Sequence, residues 1–380
     1  MKNRFLASTV VLAPQSVDKR CRRSHGRVER LAMDGPLVSR YLTLLAVIAL
    51  VSLASIPVAA QAPKASAKAW NPPRTASGQP DLQGIWNYST LTPIERPREL
   101  AGKAFFSEQE AAEYEKRALQ RRNVDLNRET TPTARGLING TEETEDLASA
   151  YNEFWWDRGT KIVKTRRTSL VIDPPDGKIP ALTPQAQKRM AALEKTNQRA
   201  AEGPEDRPLS ERCIVRPNSG PPMTPTGYNN NFRLVQAAGY VVIFNEQIHD
   251  ARIIPMDGRP HLPQNVRLWM GDSRGRWEGE TLVVETTNFT GKTNFRGSGE
   301  NMHLVERFTR TDPDTLLYEF TVDDPQSFTS RWTAQIPMTR SRDQIFEYAC
   351  HEGNYSMFTT LSSARALEKS GEEAAKKRSR

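Results

Sequence analysis

Four of the chain's five histidines, His249, His261, His303 and His351, fall between residues 229 and 355, and most have carboxylates or basic groups close by in sequence. Imidazole titrates near neutrality, so these side chains are the best suited in the chain to carry protons at physiological pH. Over residues 248–254, strand alternation puts Ile248, Asp250, Arg252 and Ile254 on one face and His249, Ala251 and Ile253 on the other. Asp250 and Arg252 can hold each other charged or grip a polar ligand jointly, and His249 beside them can serve as base or acid. The stretch from His303 repeats the theme. His303, Val305 and Arg307 share one face, while Leu304, Glu306 and Phe308 share the other. A carboxylate such as Glu306 on an interior face is either paired or raised in pKa and fit for proton transfer; on a partly buried face it is an ordinary surface residue.

A third group, His351 and Glu352, follows Cys350 directly. The residues expected to transfer protons or bind anions are therefore His249, Asp250, Arg252, His303, Glu306, His351 and Glu352. Trp155, Trp156 and Trp269 could wall a substrate site by stacking, with phenols from Tyr228 and Tyr348 nearby. For the run Phe154-Trp155-Trp156, core packing competes with a stacking role and is the favoured reading.

Several chemistries lack their motifs. There is no His-Glu-x-x-His helix, so a thermolysin-type zinc site is not expected, although the scattered histidines could still converge on a metal. No Gly-x-Ser-x-Gly elbow occurs, and Ser273 in Gly271-Asp272-Ser273-Arg274-Gly275 reads as a turn serine. The glycines form no phosphate-loop or dinucleotide pattern, and the expected chemistry uses neither metal nor cofactor.

Residues 41–57 are an apolar run after basic residues, ending in Val58-Ala59-Ala60, which reads as a secretory signal peptide cut near Ala60. A transmembrane anchor is the competing reading, but the run is at the short limit for spanning. An alternative start at Met33 would leave Cys21 and His25 outside the protein. Without residues 1–60 the chain has 44 basic and 42 acidic residues, so the overall charge of +8 supplies no basic surface for nucleic acid. The expected product is secreted or periplasmic, with no membrane span. Its two remaining cysteines, Cys213 and Cys350, are expected to pair in an oxidising compartment, worth on the order of 4 kcal/mol. A catalytic thiol beside His351 is the lesser alternative.

Residues 61–79, rich in Pro, Ala, Ser and Lys, read as a flexible lead-in to one β-rich domain over 80–360. Two helices are expected as insertions. Ser107 with Glu110 forms a capping box for one near 107–123, and Thr183-Pro184 opens the other near 184–200. A polar helix is expected over 361–380. Strand-length segments are expected at 167–174, 232–236, 240–247, 249–255, 267–270, 281–289, 302–310, 315–322, 331–339 and 344–350. Short connections imply an antiparallel meander. Closing it as a lipocalin-like barrel, or folding it as a β-sandwich, would remove exposed edges.

The wording along the mature chain is distinctive: Asp81-Leu82-x-Gly84-x-Trp86, then Tyr228-Asn229-Asn230-Asn231, then HDARIIPMDGRPH from His249 and WMGDSRGRWEGETLVVETTNF from Trp269. It resembles a family of uncharacterised secreted bacterial proteins for which no activity is established, so the resemblance implies secretion and transfers no catalytic residue. The Gly-x-Trp at the first strand is similar to the opening of lipocalin-type barrels, an analogy of fold alone. Two function classes follow from the residues. One is a secreted enzyme using metal-independent acid–base chemistry, as lyase, isomerase or hydrolase, on a saccharide or small hydrophobic metabolite. The other is a non-catalytic periplasmic barrel that binds a small ligand or a partner.

Overall fold

The computed structural model describes residues 70–127, 136–138, 141–143 and 152–378. They belong to one of the two units into which the chain divides, Lys68–Arg380. The expected signal peptide, residues 1–60, and the first part of the lead-in, residues 61–69, lie outside the described residues. The strands are β1 (Gly84–Asn87), β2 (Gly136–Ile138), β3 (Thr141–Glu143), β4 (Val171–Asp173), β5 (Asn231–Ala237), β6 (Tyr240–Asn245), β7 (Ala251–Pro255), β8 (Asp272–Glu278), β9 (Thr281–Thr287), β10 (His303–Asp312), β11 (Thr315–Asp323) and β12 (Trp332–Ser341). The helices are α1 (Glu108–Arg122), α2 (Val124–Asn127), α3 (Pro184–Gln198) and α4 (Tyr355–Arg378).

β2 and β3 pair with each other, and the other strands form one ten-stranded antiparallel sheet. Its path runs β7, β6, β5, β1, β12, β11, β10, β9, β8, with β4 added to β12. β1 therefore joins two meanders. Trp86 pairs with Phe232 on one side and with Arg340 on the other. Its ring is fully buried and its indole N–H donates to the Leu82 carbonyl at 2.9 Å, which fixes the Asp-Leu-x-Gly-x-Trp stretch as a core anchor.

Alternation decides which side of the sheet is the core. Leu304, Glu306 and Phe308 of β10 point inward with Leu316, Tyr318, Phe320 and Val322 of β11 and Trp332, Ala334, Ile336 and Met338 of β12. The two ends of the sheet also approach each other. A Cβ on Gly275 of β8 would lie 3.0 Å from Ile254 Cγ2 of β7 and closer still to the Met256 sulfur, so only glycine fits there. The hydrogen-bonded ladder nevertheless ends at β7 and β8, so the expected barrel is observed as an antiparallel meander sheet rather than a ladder-closed cylinder.

Both helix starts are as expected. Ser107 and Glu110 make the reciprocal capping box of α1, and Thr183 Oγ1 accepts from the Ala186 N–H at the start of α3. Residues 267–270 and 344–350 differ from expectation. The first is a turn with a single bridge from Leu268 to Phe289, and the second joins no strand. Conversely, the Asp-Ser-Arg-Gly stretch is not a turn. It begins β8, where Ser273 is buried and shares a 2.9 Å hydrogen bond with Thr286 of β9.

Candidate functional site

β6 and β7 are joined by a bend that breaks the expected alternation before Ala251. Ile248 and His249 both have left-handed backbone, with φ of 67° and 59°, and the His249 N–H donates to the Glu246 carbonyl at 3.1 Å. A β-branched residue at positive φ is disfavoured by contact of its Cβ with the backbone, a cost of about 1–3 kcal/mol that surrounding structure must offset. The bend fixes His249 in one orientation. Its ring meets Phe244 edge-on at 4.6 Å between centroids. Its Nδ1 is buried and makes no hydrogen bond among the described residues. Asp250 is exposed and accepts from the Ala251 N–H at 2.7 Å, so it does not pair with Arg252.

The bend forms one wall of an open groove of about 730 Å³. The opposite wall is the turn from Leu268 to Ser273, with Trp269 half-buried and the Arg212 guanidinium 5.9 Å from its ring centroid. Gly271, at φ 67°, lets the chain enter β8 with the carbonyl of Thr287 close by. Asp272, buried behind this turn, faces the His261 Nδ1 at 3.0 Å and accepts from the Leu262 N–H at 2.9 Å and the Arg274 guanidinium at 2.6 Å. Two donors and the His261 ring thus surround a carboxylate in a stretch whose sequence reads as a turn. The groove is completed by Cys213 and His351. Cys213 and Cys350 form the expected disulfide, with Cα atoms 5.8 Å apart.

No family model matches this chain, and neither the curated proteins nor the solved structures contain a significant match to it. Its own residues must carry the functional argument.

Of the residues expected to do chemistry, the groove brings together His249, Asp250 and His351, with Trp269 opposite and the Arg252 backbone at its edge. The others lie elsewhere. Glu306 is interior, at 0% exposure, and is paired. Arg252 donates to both of its oxygens, at 2.7 and 3.1 Å, and the Tyr318 hydroxyl donates to Oε1 at 2.8 Å. The Met223 N–H donates in turn to the Tyr318 oxygen at 3.1 Å. Three donors thus hold Glu306 inside the core, away from the groove, as a paired structural carboxylate. Burial, with the Glu306 charge adding to it, pushes the Tyr318 phenol well above its ordinary pKa. His303, at the start of β10, is half-exposed on the face opposite Glu306 and registers with Asp323 of β11. Glu352 is exposed in the turn before α4.

A second polar cluster gathers Tyr228 and Tyr348. Arg216 Nη1 donates to both hydroxyls, at 2.9 and 3.2 Å, and the phenol rings lie 6.5 Å apart. Burial raises Tyr228 to about 12. Trp156 stands 6.0 Å from Tyr228 and carries the Arg158 guanidinium 3.9 Å over its ring. Phe154 and Trp155 face solvent, at 84% and 63% exposure, so the expectation of a packed aromatic run fails for both. The 3-10 turn Glu153–Trp155 turns those two side chains outward.

This cluster also contains residues that sequence reasoning passed over. Asn87 donates to Asp157 at 3.4 Å and to Asn231 Oδ1 at 2.9 Å, and Asn231 donates to Glu246 at 2.7 Å. Burial raises the pKa of Asp157, a residue that is half-buried as a whole. The motif Tyr228-Asn229-Asn230-Asn231 was the available signal: Asn230, fully buried, donates to the Asp157 carbonyl at 2.7 Å.

Proposed function

We propose that the protein is an extracytoplasmic enzyme that uses metal-independent acid–base chemistry, as a lyase, isomerase or hydrolase, on a small hydrophobic metabolite bound in the groove. The observation that carries this reading is His249: a half-buried residue on the groove wall, set by a strained bend, with a buried Nδ1 that makes no hydrogen bond among the described residues. A proton on that nitrogen would be a buried unsatisfied donor, so the neutral ring keeps its hydrogen on Nε2. His249 then presents its Nε2–H to the ligand as a hydrogen-bond donor that can polarise a carbonyl oxygen. His351, exposed on the same groove, is free to take the opposite role as base. Ile214, Ile253, Leu268, Trp269 and Met270 line the groove, which favours an apolar ligand body over a saccharide here.

The extracytoplasmic assignment draws on the disulfide and on the leader, and no helix among the described residues is long and apolar enough to cross a membrane. We read the sheet as curling toward a lipocalin-like barrel. The approach of Gly275 to Ile254, and the Arg252–Glu306 bond from one edge strand to β10, support that reading. The second reading, a non-catalytic barrel that binds a small ligand, gains from the absence of His303 and Glu306 from the groove.

The test is solvent deuterium exchange into hydrophobic ketones and β-hydroxy acids, with phenol release from aryl esters run in parallel. Turnover should fall by about 10²-fold or more in His249→Gln and stay unchanged in His303→Gln. Binding of these compounds without turnover would replace the enzyme by the binding protein. Equal turnover in His249→Gln and wild type would remove the assignment of His249.

A further inference from the structure

Outside the groove, the feature that the proposed chemistry leaves unused is the string Asp157, Asn87, Asn231 and Glu246 beside two exposed aromatic rings. Amide side chains both donate and accept, as do sugar hydroxyls, so a floor of two asparagines between two carboxylates matches a polyhydroxylated surface better than an ion. Charge points the same way. Asp157 and Glu246 would repel an anion, while Arg158 over Trp156 and Arg216 on the two phenols would repel a cation. A neutral ligand meets neither penalty.

The aromatic side is held rather than loose. Val124 N–H donates to the Glu153 carboxylate and Glu153 N–H donates to Asp125, both at 3.0 Å, so α2 clamps the turn that carries Phe154 and Trp155. The two rings meet edge-on at 5.3 Å and 80°. Trp155 and Asp157 flank the extended Trp156, with φ −92° and ψ 121°, so their Cα atoms lie within about 7 Å of each other. A fixed, solvent-facing indole at that spacing from a half-buried aspartate can stack on a sugar ring whose hydroxyls reach the polar floor.

We propose that Trp155 with Asp157, Asn87 and Asn231 forms a binding subsite for a neutral saccharide, separate from the groove. The inference does not depend on the chemistry assigned to His249. It is tested by isothermal titration calorimetry of the purified protein with cellohexaose, xylohexaose, mannohexaose and maltohexaose. At least one should bind with a dissociation constant below about 1 mM. Trp155→Ala should weaken it at least about tenfold with no change in melting temperature, since the ring is exposed. Asp157→Asn should weaken it severalfold, and His249→Ala should bind as wild type does. The proposal is overturned if none of the four sugars binds, or if Trp155→Ala and Asp157→Asn both bind as wild type. Loss only in His249→Ala would also overturn it, by placing the sugar in the groove.

Discussion

Breaking the Cys213–Cys350 bond is the perturbation whose size follows most directly from the fold. The bond spans a sequence separation of 137. In the chain-entropy model, cross-linking a denatured chain over that length removes about 17 cal/mol/K, or about 5 kcal/mol at 25 °C. The native side offsets part of this. Cys350 sits in a segment that joins no strand, held to neighbouring loops by the Phe346 N–H to Glu246 at 3.3 Å and by Arg216 to Tyr348 at 3.2 Å. Reduction therefore frees some native chain as well, and the expected loss is about 3–5 kcal/mol. With a urea m-value of about 3 kcal/mol/M, the midpoint should fall by about 1–1.7 M. The assay is urea unfolding followed by tryptophan fluorescence, with and without reductant, for wild type and for Cys213→Ser with Cys350→Ser. Reduced wild type and the double variant should coincide. A midpoint that moves by less than about 0.3 M, or a double variant that still responds to reductant, would refute the reasoning.

The Arg252–Glu306 pair predicts an asymmetric cycle. Glu306→Gln leaves a buried guanidinium without its counter-charge and should cost about 3–5 kcal/mol, whereas Arg252→Met with Glu306→Leu should cost less than either single change. Single-variant losses under about 1 kcal/mol in denaturant titrations would contradict the buried pair. Asp157 predicts a pH dependence. Its folded pKa is raised, so the native state binds the proton more tightly and stability falls as pH climbs from the unfolded pKa through the folded one. Asp157→Asn should therefore gain on wild type with rising pH across that window, and a pH-independent difference would count against the buried carboxyl.

Strand alternation made β10, β11 and β12 legible, because each has one face wholly in the core and the pattern survives over nine or ten residues. The disulfide was legible because two cysteines remain once the leader is set aside. Glu306 was legible as a residue with an unusual face, but not as a partner of Arg252. Periodicity reports which face a side chain takes, and nothing local links residues 54 apart on strands that are not neighbours. β8 was missed because Asp272, Ser273, Arg274 and Gly275 are weak strand formers. Pairing with β9 on an edge of the sheet overrides that preference. The His249 bend was missed because alternation assumes extended backbone, and two successive left-handed residues remove that assumption.

The place of β1 in the sheet bears on how the protein is made. The first strand of the sheet is hydrogen-bonded to β5 and to β12, and Trp86 waits for Arg340 about 250 residues later in the chain. Until β12 is available, the second meander cannot join β1, and Trp86 has its neighbour on the β5 side alone. Such non-local pairing is slow to form, since loop-closure entropy must be met before the contacts reward it. A chain emerging in order thus stays short of its native sheet until synthesis is nearly complete.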